Sequence, residues 1–262
     1  MNNFSIILCT CDDYFDLCFN CIKLIHKYWP QFDGLIYINS DTKSFDDKSG
    51  KIKNVYHASS GLSWSQRLFD SLAQCDSEFV SIFLEDFYIE SYVNNDEFLK
   101  CLRYMQNHKN INSIIFSKEP GIGKIINELP GFAYRRYLSP FKLTTHIGIY
   151  RKSFLLNILK KNESAWEFET SGSVRSLFKK GRYICKADSN FTFPYHYGLL
   201  VSKGKYHCNL KSHFEEKEGI IFKKREVYQV EKKSLKTHYI KGLKYFFKGL
   251  FSMFSAKPRR IK

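Results

Sequence analysis

Short apolar runs alternate with amphipathic stretches through the first 116 residues, and this alternation limits the possible folds more than any other feature of the chain. Phe4–Thr10, Leu35–Asn39, Lys53–His57, Glu78–Leu84 and Ile111–Phe116 are brief and mostly rich in β-branched or aromatic residues. Each predicts a buried strand. Between them the apolar spacing changes to three and four. After Asp12-Asp13 it puts Phe15, Cys18, Phe19, Ile22, Ile25 and Trp29 on one face, and Pro30 stops it. After Gly61 it aligns Trp64, Leu68, Leu72 and Cys75, and Asn94 to His108 repeats the pattern. Strands and helices in this order form βαβ units. The fold class is therefore α/β, with a mixed, mainly parallel sheet flanked by helices.

The second half is less regular. Phe132–Tyr137 and Leu143–Tyr150 predict strands, and Ser153–Lys160 and Ser173–Lys180 predict helices. Gly181 reads as a cap before a last strand at Tyr183–Lys186, and Gly121-Ile122-Gly123 as a loop. Residues 203–233 are polar and carry no clear period. The expected organisation is a domain over 1–202, a connecting segment over 203–233 and a basic tail over 234–262.

Charge sharpens that division. The 262 residues carry a formal +15, of which residues 232–262 hold ten Lys and Arg and no acid. The rest of the chain is at +5, close to neutral for its size, which argues against a basic nucleic-acid-binding domain. On a helical projection of the tail, Thr237, Lys241, Lys244, Lys248, Ser252 and Ser255 form one narrow stripe, and Tyr239, Ile240, Leu243, Phe246, Phe247, Leu250, Phe251, Met253 and Phe254 fill the remainder. Such a helix suits a membrane interface, with its lysines near anionic headgroups. The alternative is a core-packing helix with exposed lysines. Because the aromatics lie away from the lysines, lipid is the expected partner and nucleic acid is not. No uncharged apolar run reaches the length of a spanning helix.

Two acids follow the most apolar run. In Leu84-Glu85-Asp86-Phe87 they stand at the carboxyl end of a buried strand, where open α/β sheets bind ligands. A hard dication on a diphosphate needs one or two such carboxylates, with phosphate and water completing its shell. The plain alternative is a solvated turn. Cys18-x-x-Cys21 with Cys9 and Cys11 invites a zinc or redox reading, but tetrahedral zinc needs four convergent ligands. These cysteines fall on an apolar helix face and a strand, so small buried thiols are expected. No Walker A, G-x-S-x-G, H-E-x-x-H or strand-linked G-x-G-x-x-G motif is present.

Ser63-Trp64-Ser65-Gln66-Arg67-Leu68, a helix, and then Ser77 to Phe87 ending in Glu85-Asp86 resemble GT-A fold glycosyltransferases, more narrowly those of bacterial surface-polysaccharide gene clusters. Gly148-Ile149-Tyr150-Arg151-Lys152-Ser153, then Ser164-Ala165-Trp166-Glu167-Phe168-Glu169, Arg175 and Gly181 follow the order of that family's second half. The resemblance covers about residues 4–200 and is one of motif order and spacing. It implies transfer of a sugar from a nucleotide-diphosphate donor to an acceptor hydroxyl. It implies Mn²⁺ or Mg²⁺ at Asp86 and Glu85 beside the diphosphate, with His196 as a candidate further ligand; a core or loop histidine is the other reading. Here the acidic motif reads Glu-Asp where the family has Asp-x-Asp, which leaves metal dependence open.

Glu169 keeps the family base's spacing to its Arg and is the favoured general base, with Glu167 the other candidate; a helix-start role is the alternative for both. Thr10 and Asp12 fall where the family's nucleotide pocket begins, and Asp41 where it has an acid facing base or ribose. A cap or turn is the other reading for each Asp. Arg67 and Lys203 are candidates for the diphosphate, with a solvated surface arginine and a basic turn as the other readings, and His146 is a candidate for the acceptor side. With the tail on a membrane, a lipid-linked glycan is the expected acceptor and the cytoplasmic face of the inner membrane the expected location. The competing function is a non-catalytic basic protein that binds membrane or nucleic acid. A nucleotidyltransferase ranks lower, because Thr10-Cys11-Asp12-Asp13 has no glycine to cradle phosphates.

Overall fold

The computed structural model describes residues 3–55, 61–196 and 200–229. The amphipathic helix expected in the tail, and the end of the strand expected at Lys53–His57, lie outside the described residues.

Nine strands form the main sheet among the described residues: β1 (Phe4–Cys9), β2 (Ile36–Asn39), β3 (Ile52–Val55), β4 (Phe79–Leu84), β5 (Ile111–Lys118), β6 (Ile122–Ile125), β7 (Phe132–Arg135), β8 (Gly148–Arg151) and β9 (Arg182–Lys186). Their order is β3-β2-β1-β4-β8-β5-β9-β7-β6. The first four strands pair in parallel. β8 enters antiparallel between β4 and β5, and β6 and β7 close the far edge as an antiparallel hairpin. The βαβ half is therefore parallel, as its alternating pattern predicts, and the irregular half is mixed.

Alternate residues of each central strand serve opposite layers. On β1, Phe4, Ile6 and Leu8 join one core cluster, while Ile7 and Cys9 join the other. On β4, Phe79 and Phe83 separate in the same way from Val80 and Ile82. A strand covered on both faces has no polar side, which is why these runs read as continuously apolar. Helices α1 (Phe15–Tyr28) and α3 (Asn95–Asn107) cover the first face, and α2 (Trp64–Gln74) and α4 (Lys152–Ile158) the second. Ser63 starts α2 with a reciprocal capping box: its hydroxyl accepts from the Gln66 amide, and Gln66 accepts from the Ser63 amide at 3.0 Å.

Four expectations change. Of Leu143–Tyr150 only the last three residues are strand. Residues 143–147 leave the sheet, and buried Thr144 and Thr145 turn their polar groups toward Glu169. The helix expected at Ser173–Lys180 is only the short α6 (Ser173–Ser176), after α5 (Ala165–Glu167) and a π-helical turn at Phe168–Gly172. Gly181, at φ +120°, therefore turns the chain into β9 and does not cap a helix directly. Gly121-Ile122-Gly123 leads into β6, where Ile122 pairs with Arg135.

The polar segment from residue 201 packs onto the body. β10 (Val201–Ser202), β11 (Lys205–His207) and β12 (Val227–Tyr228) form a small sheet beside α7 (Cys208–Glu218). Tyr206, Leu210 and Phe214 enter the first core cluster, with Phe214 edge-on to Tyr88 at 5.1 Å. Arg225 grips both carboxylate oxygens of Asp16, at 2.8 and 2.6 Å.

Candidate active site

β1 sends its chain toward β2 on one side, while its other neighbour is β4. Open sheets form a ligand crevice at such a switch point, beyond the carboxyl ends of the strands. Cys9 pairs with Leu84 in register, so Thr10-Cys11 and Glu85-Asp86 leave the sheet side by side. They floor a cleft of about 730 Å³, walled by Trp64 and Arg67 of α2, by Glu169, and by Val201, Ser202 and Lys203 of the small sheet.

Asp86 is buried, and its Oδ2 accepts from the Val201 amide at 3.4 Å. Burial raises its pKa, against that amide. Burial and then the Asp86 charge raise Glu85, with Arg67 opposing. Among the described residues Arg67 and Lys203 are the cations that line this cleft beside the two acids. Two carboxylates lining one cleft are the donor type that suits a hard dication such as Mg²⁺ or Mn²⁺. His196 does not join them. It is exposed, its ring is 6.4 Å from that of His207, and it is not among the residues that line the cleft. Among the described residues no three His, Cys, Asp or Glu side chains gather as a metal cluster, and the cysteines are free thiols.

Arg67 is held from behind. It pairs with Asp41, and its Nη2 donates to the Thr10 carbonyl at 3.2 Å. Asp12 clips the loop after β2, accepting from the Thr42 and Lys43 amides at 3.0 and 3.2 Å, while its own amide donates to Asp41. Those bonds, led by the Thr42 hydroxyl, hold the Asp12 pKa down. Asp12 and Asp41 thus stand behind the cleft wall and position Arg67. The Nε–H groups of Arg67 and of Trp64 (Nε1) are buried without an acceptor among the described residues, which leaves two donors on this wall for a polar ligand. Lys203 occupies a two-residue hairpin turn between β10 and β11. Its φ of +51° and the +78° of Gly204 suit the primed turn such hairpins use.

The two candidate bases separate clearly. Glu167 closes a capping box, accepting from the Ser164 amide at 2.8 Å and hydroxyl at 2.9 Å, and is exposed away from the cleft wall. Glu169 lies on the π-helical turn. Its Oε1 accepts from the Thr145 amide at 2.6 Å, the Thr145 hydroxyl at 2.7 Å and the Thr144 hydroxyl at 3.2 Å. Arg175 braces the segment by a bidentate pair with Glu163 and by donating to the Ile158 carbonyl at 3.1 Å.

A second cavity, about 640 Å³, adjoins the first and shares His146, Trp166 and Glu169 with it. His146 Nδ1 is 2.7 Å from buried Glu119, which also accepts from Ser117. Glu119 is the acid that the sequence reading missed. Its signal was the one that marked Glu85: a carboxylate just past the end of an apolar strand.

No protein-family model matches this sequence, and no curated protein matches it. Among solved structures the chain is similar to S. aureus TarS 1–349, with 14% identity, a TM-score of 0.52, and coverage of 94% of this chain and 80% of that one. It is also similar to TarS 1–349 in complex with UDP, with 16% identity and a TM-score of 0.51. That match covers 72% of this chain, and the chain spans 59% of the TarS chain's length. The architecture is the GT-A fold, as the motif order implies.

Proposed function

We propose that this chain is a glycosyltransferase that moves a sugar from a nucleotide-diphosphate donor to an acceptor hydroxyl. The observation that carries the reading is Glu169. It borders both cavities, and the described hydrogen bonds to its carboxylate all fall on Oε1. Oε2 is left to take a proton from a hydroxyl entering from the second cavity. That hydroxyl oxygen then attacks the anomeric carbon of a donor held in the first, in a single displacement with inversion. Arg67, Lys203 and the Trp64 N–H orient the diphosphate and answer the charge it gains on leaving. Asp86 and Glu85 hold Mg²⁺ or Mn²⁺, which when bound supplies further positive charge to the diphosphate. A similar fold in complex with UDP makes uridine the first nucleotide to try. The tail's lysine stripe supports a lipid-linked glycan as acceptor, met at an anionic membrane surface.

The test is thermal stability with UDP, GDP, CDP and dTDP, each with and without Mg²⁺ or Mn²⁺, on wild type and Asp86→Asn. A ligand bound only by the folded state raises the melting temperature. One nucleotide should stabilise the protein, more so with metal, and Asp86→Asn should remove the metal's share. No shift with any nucleotide overturns the reading and returns attention to the basic tail as a binding module.

A further inference from the structure

A third cavity, of about 620 Å³, lies at the far edge of the sheet. The β6–β7 hairpin and the start of β9 wall it through Lys124, Arg135, Arg182 and Tyr183, with Tyr137 and Lys142 from the chain after β7. Among the described residues it shares no lining residue with the two cavities that border Glu169.

Lys142 is the unusual residue here, because it is only 3% exposed. A lysine so buried is ordinarily paired with a carboxylate. Among the described residues the Lys142 ammonium has neither an ion pair nor a hydrogen bond. It lies 4.9 Å from the centre of the Tyr137 ring and 5.2 Å from that of Tyr183. Ring faces attract a cation but do not neutralise it. The charge that acts on it is also positive: burial, and then Arg135, push the Lys142 pKa down to about 8. Arg135 spends its Nη groups on the carbonyls of Phe141, Pro120 and Pro140, so it adds field to the cavity and keeps its donors elsewhere. Arg182 is exposed, with its guanidinium 4.7 Å over the Tyr134 ring, and Lys124 is exposed on β6. Glu128 is the acid among the described lining residues; it is exposed and its carboxylate lies 3.9 Å from His108 Nε2. A buried ammonium held beside a second cation is the arrangement that a bound anion stabilises. Phosphate suits it, since its two charges and several oxygens let an ammonium and a guanidinium bind it together.

We propose that this cavity is a binding site for a phosphate group, held by the buried Lys142 ammonium with Arg182 and Lys124 as its exposed partners. The inference stands apart from the transferase reading and asks nothing of Glu169 or the Glu85-Asp86 pair. The test is calorimetric titration of the full chain near neutral pH with sodium phosphate, against sodium chloride of equal ionic strength. It compares wild type with Lys142→Met, Arg182→Gln and Lys203→Ala. Wild type and Lys203→Ala should bind phosphate alike, because Lys203 belongs to the nucleotide cleft. Lys142→Met should weaken binding about tenfold or more, and Arg182→Gln about threefold. Melting curves report whether each variant is folded, and exposed Arg182 gives a variant that leaves the buried packing alone. The anion favours the charged amine, so affinity is full below about 8 and falls as pH rises past it. Sulfate, which keeps both charges over this range, should show that fall with wild type and with Arg182→Gln. Absence of phosphate binding by wild type, equal binding by Lys142→Met, or sulfate affinity that stays flat through mildly alkaline pH each overturns the proposal. Loss confined to Lys203→Ala also overturns it and puts the anion in the nucleotide cleft.

Discussion

The two oxygens of Glu169 have different surroundings, and that asymmetry suits a base. Three donors hold Oε1 and fix the carboxylate plane, and in the proposed reaction Oε2 takes the proton. Glu169→Gln keeps the shape and removes the basicity. It should lower transfer by about 10²–10⁴-fold while UDP stabilisation persists, and NMR of the wild-type product should show an inverted anomeric centre. Loss of nucleotide binding in the variant would make Glu169 a binding residue. The neighbouring His146–Glu119 pair makes a prediction in pH. Burial works against charge on His146, but its bond to Glu119 and the charges of Glu119 and Glu169 outweigh burial and Arg135, so its pKa is raised. For Glu119 burial is again opposed, chiefly by His146, and its pKa is lowered. The histidine's contribution is full below its unfolded value of about 6.5 and is lost as pH rises through the raised folded one. The carboxylate's contribution is full above about 4.3 and is lost as pH falls through its lowered value. Urea melts of Glu119→Gln should therefore show the largest deficit in mildly acidic buffer and a smaller one in alkaline buffer. An equal deficit at both would assign Glu119 a purely packing role.

At the scale of elements, the π-helical turn depends on a strut behind it. Arg175 and Glu163 have side chains only 17% and 9% exposed, and Glu163 is tied to α2 through Ser65, whose hydroxyl accepts from its amide at 2.9 Å. Removing one partner of a buried pair leaves an uncompensated charge. Arg175→Met should cost about 3–5 kcal/mol in chemical denaturation, and adding Glu163→Gln should recover part of that loss. Additive losses would show that the two side chains act separately. The spacing from Glu169 to Arg175, read in the sequence as part of a catalytic pattern, thus has a mechanical basis: the arginine fixes the turn that carries the carboxylate. The acids of the Glu167-Phe168-Glu169 stretch were visible in the sequence, but their division of labour was not. It turns on capping at Ser164 and on the extra residue in the turn, neither of which follows from residue type.

Across the whole molecule, charge is segregated. Residues 232–262 hold two-thirds of the net positive charge and no acid, beside a near-neutral body. If the lysine stripe meets lipid, replacing Lys241, Lys244 and Lys248 by Glu in the full chain should lower co-sedimentation with anionic vesicles by about a hundredfold or more, at about 1 kcal/mol per lysine near the surface. Added salt should weaken wild-type binding in the same direction. Neutral vesicles should bind both proteins alike, and equal binding of both to anionic vesicles would remove the lysines from the account. Local order was legible in advance: the βαβ half, the strand ends at Thr10 and Glu85-Asp86, and the buried thiols of α1 follow from periodicity and from a strand's need to bury both faces. Those signals lie within a few consecutive residues. The antiparallel entry of β8, the packing of α7 on the body and the meeting of Glu119, His146 and Glu169 were not legible. Each joins segments far apart in the chain, and such contacts arise only when the sheet order and core packing bring distant strand ends together.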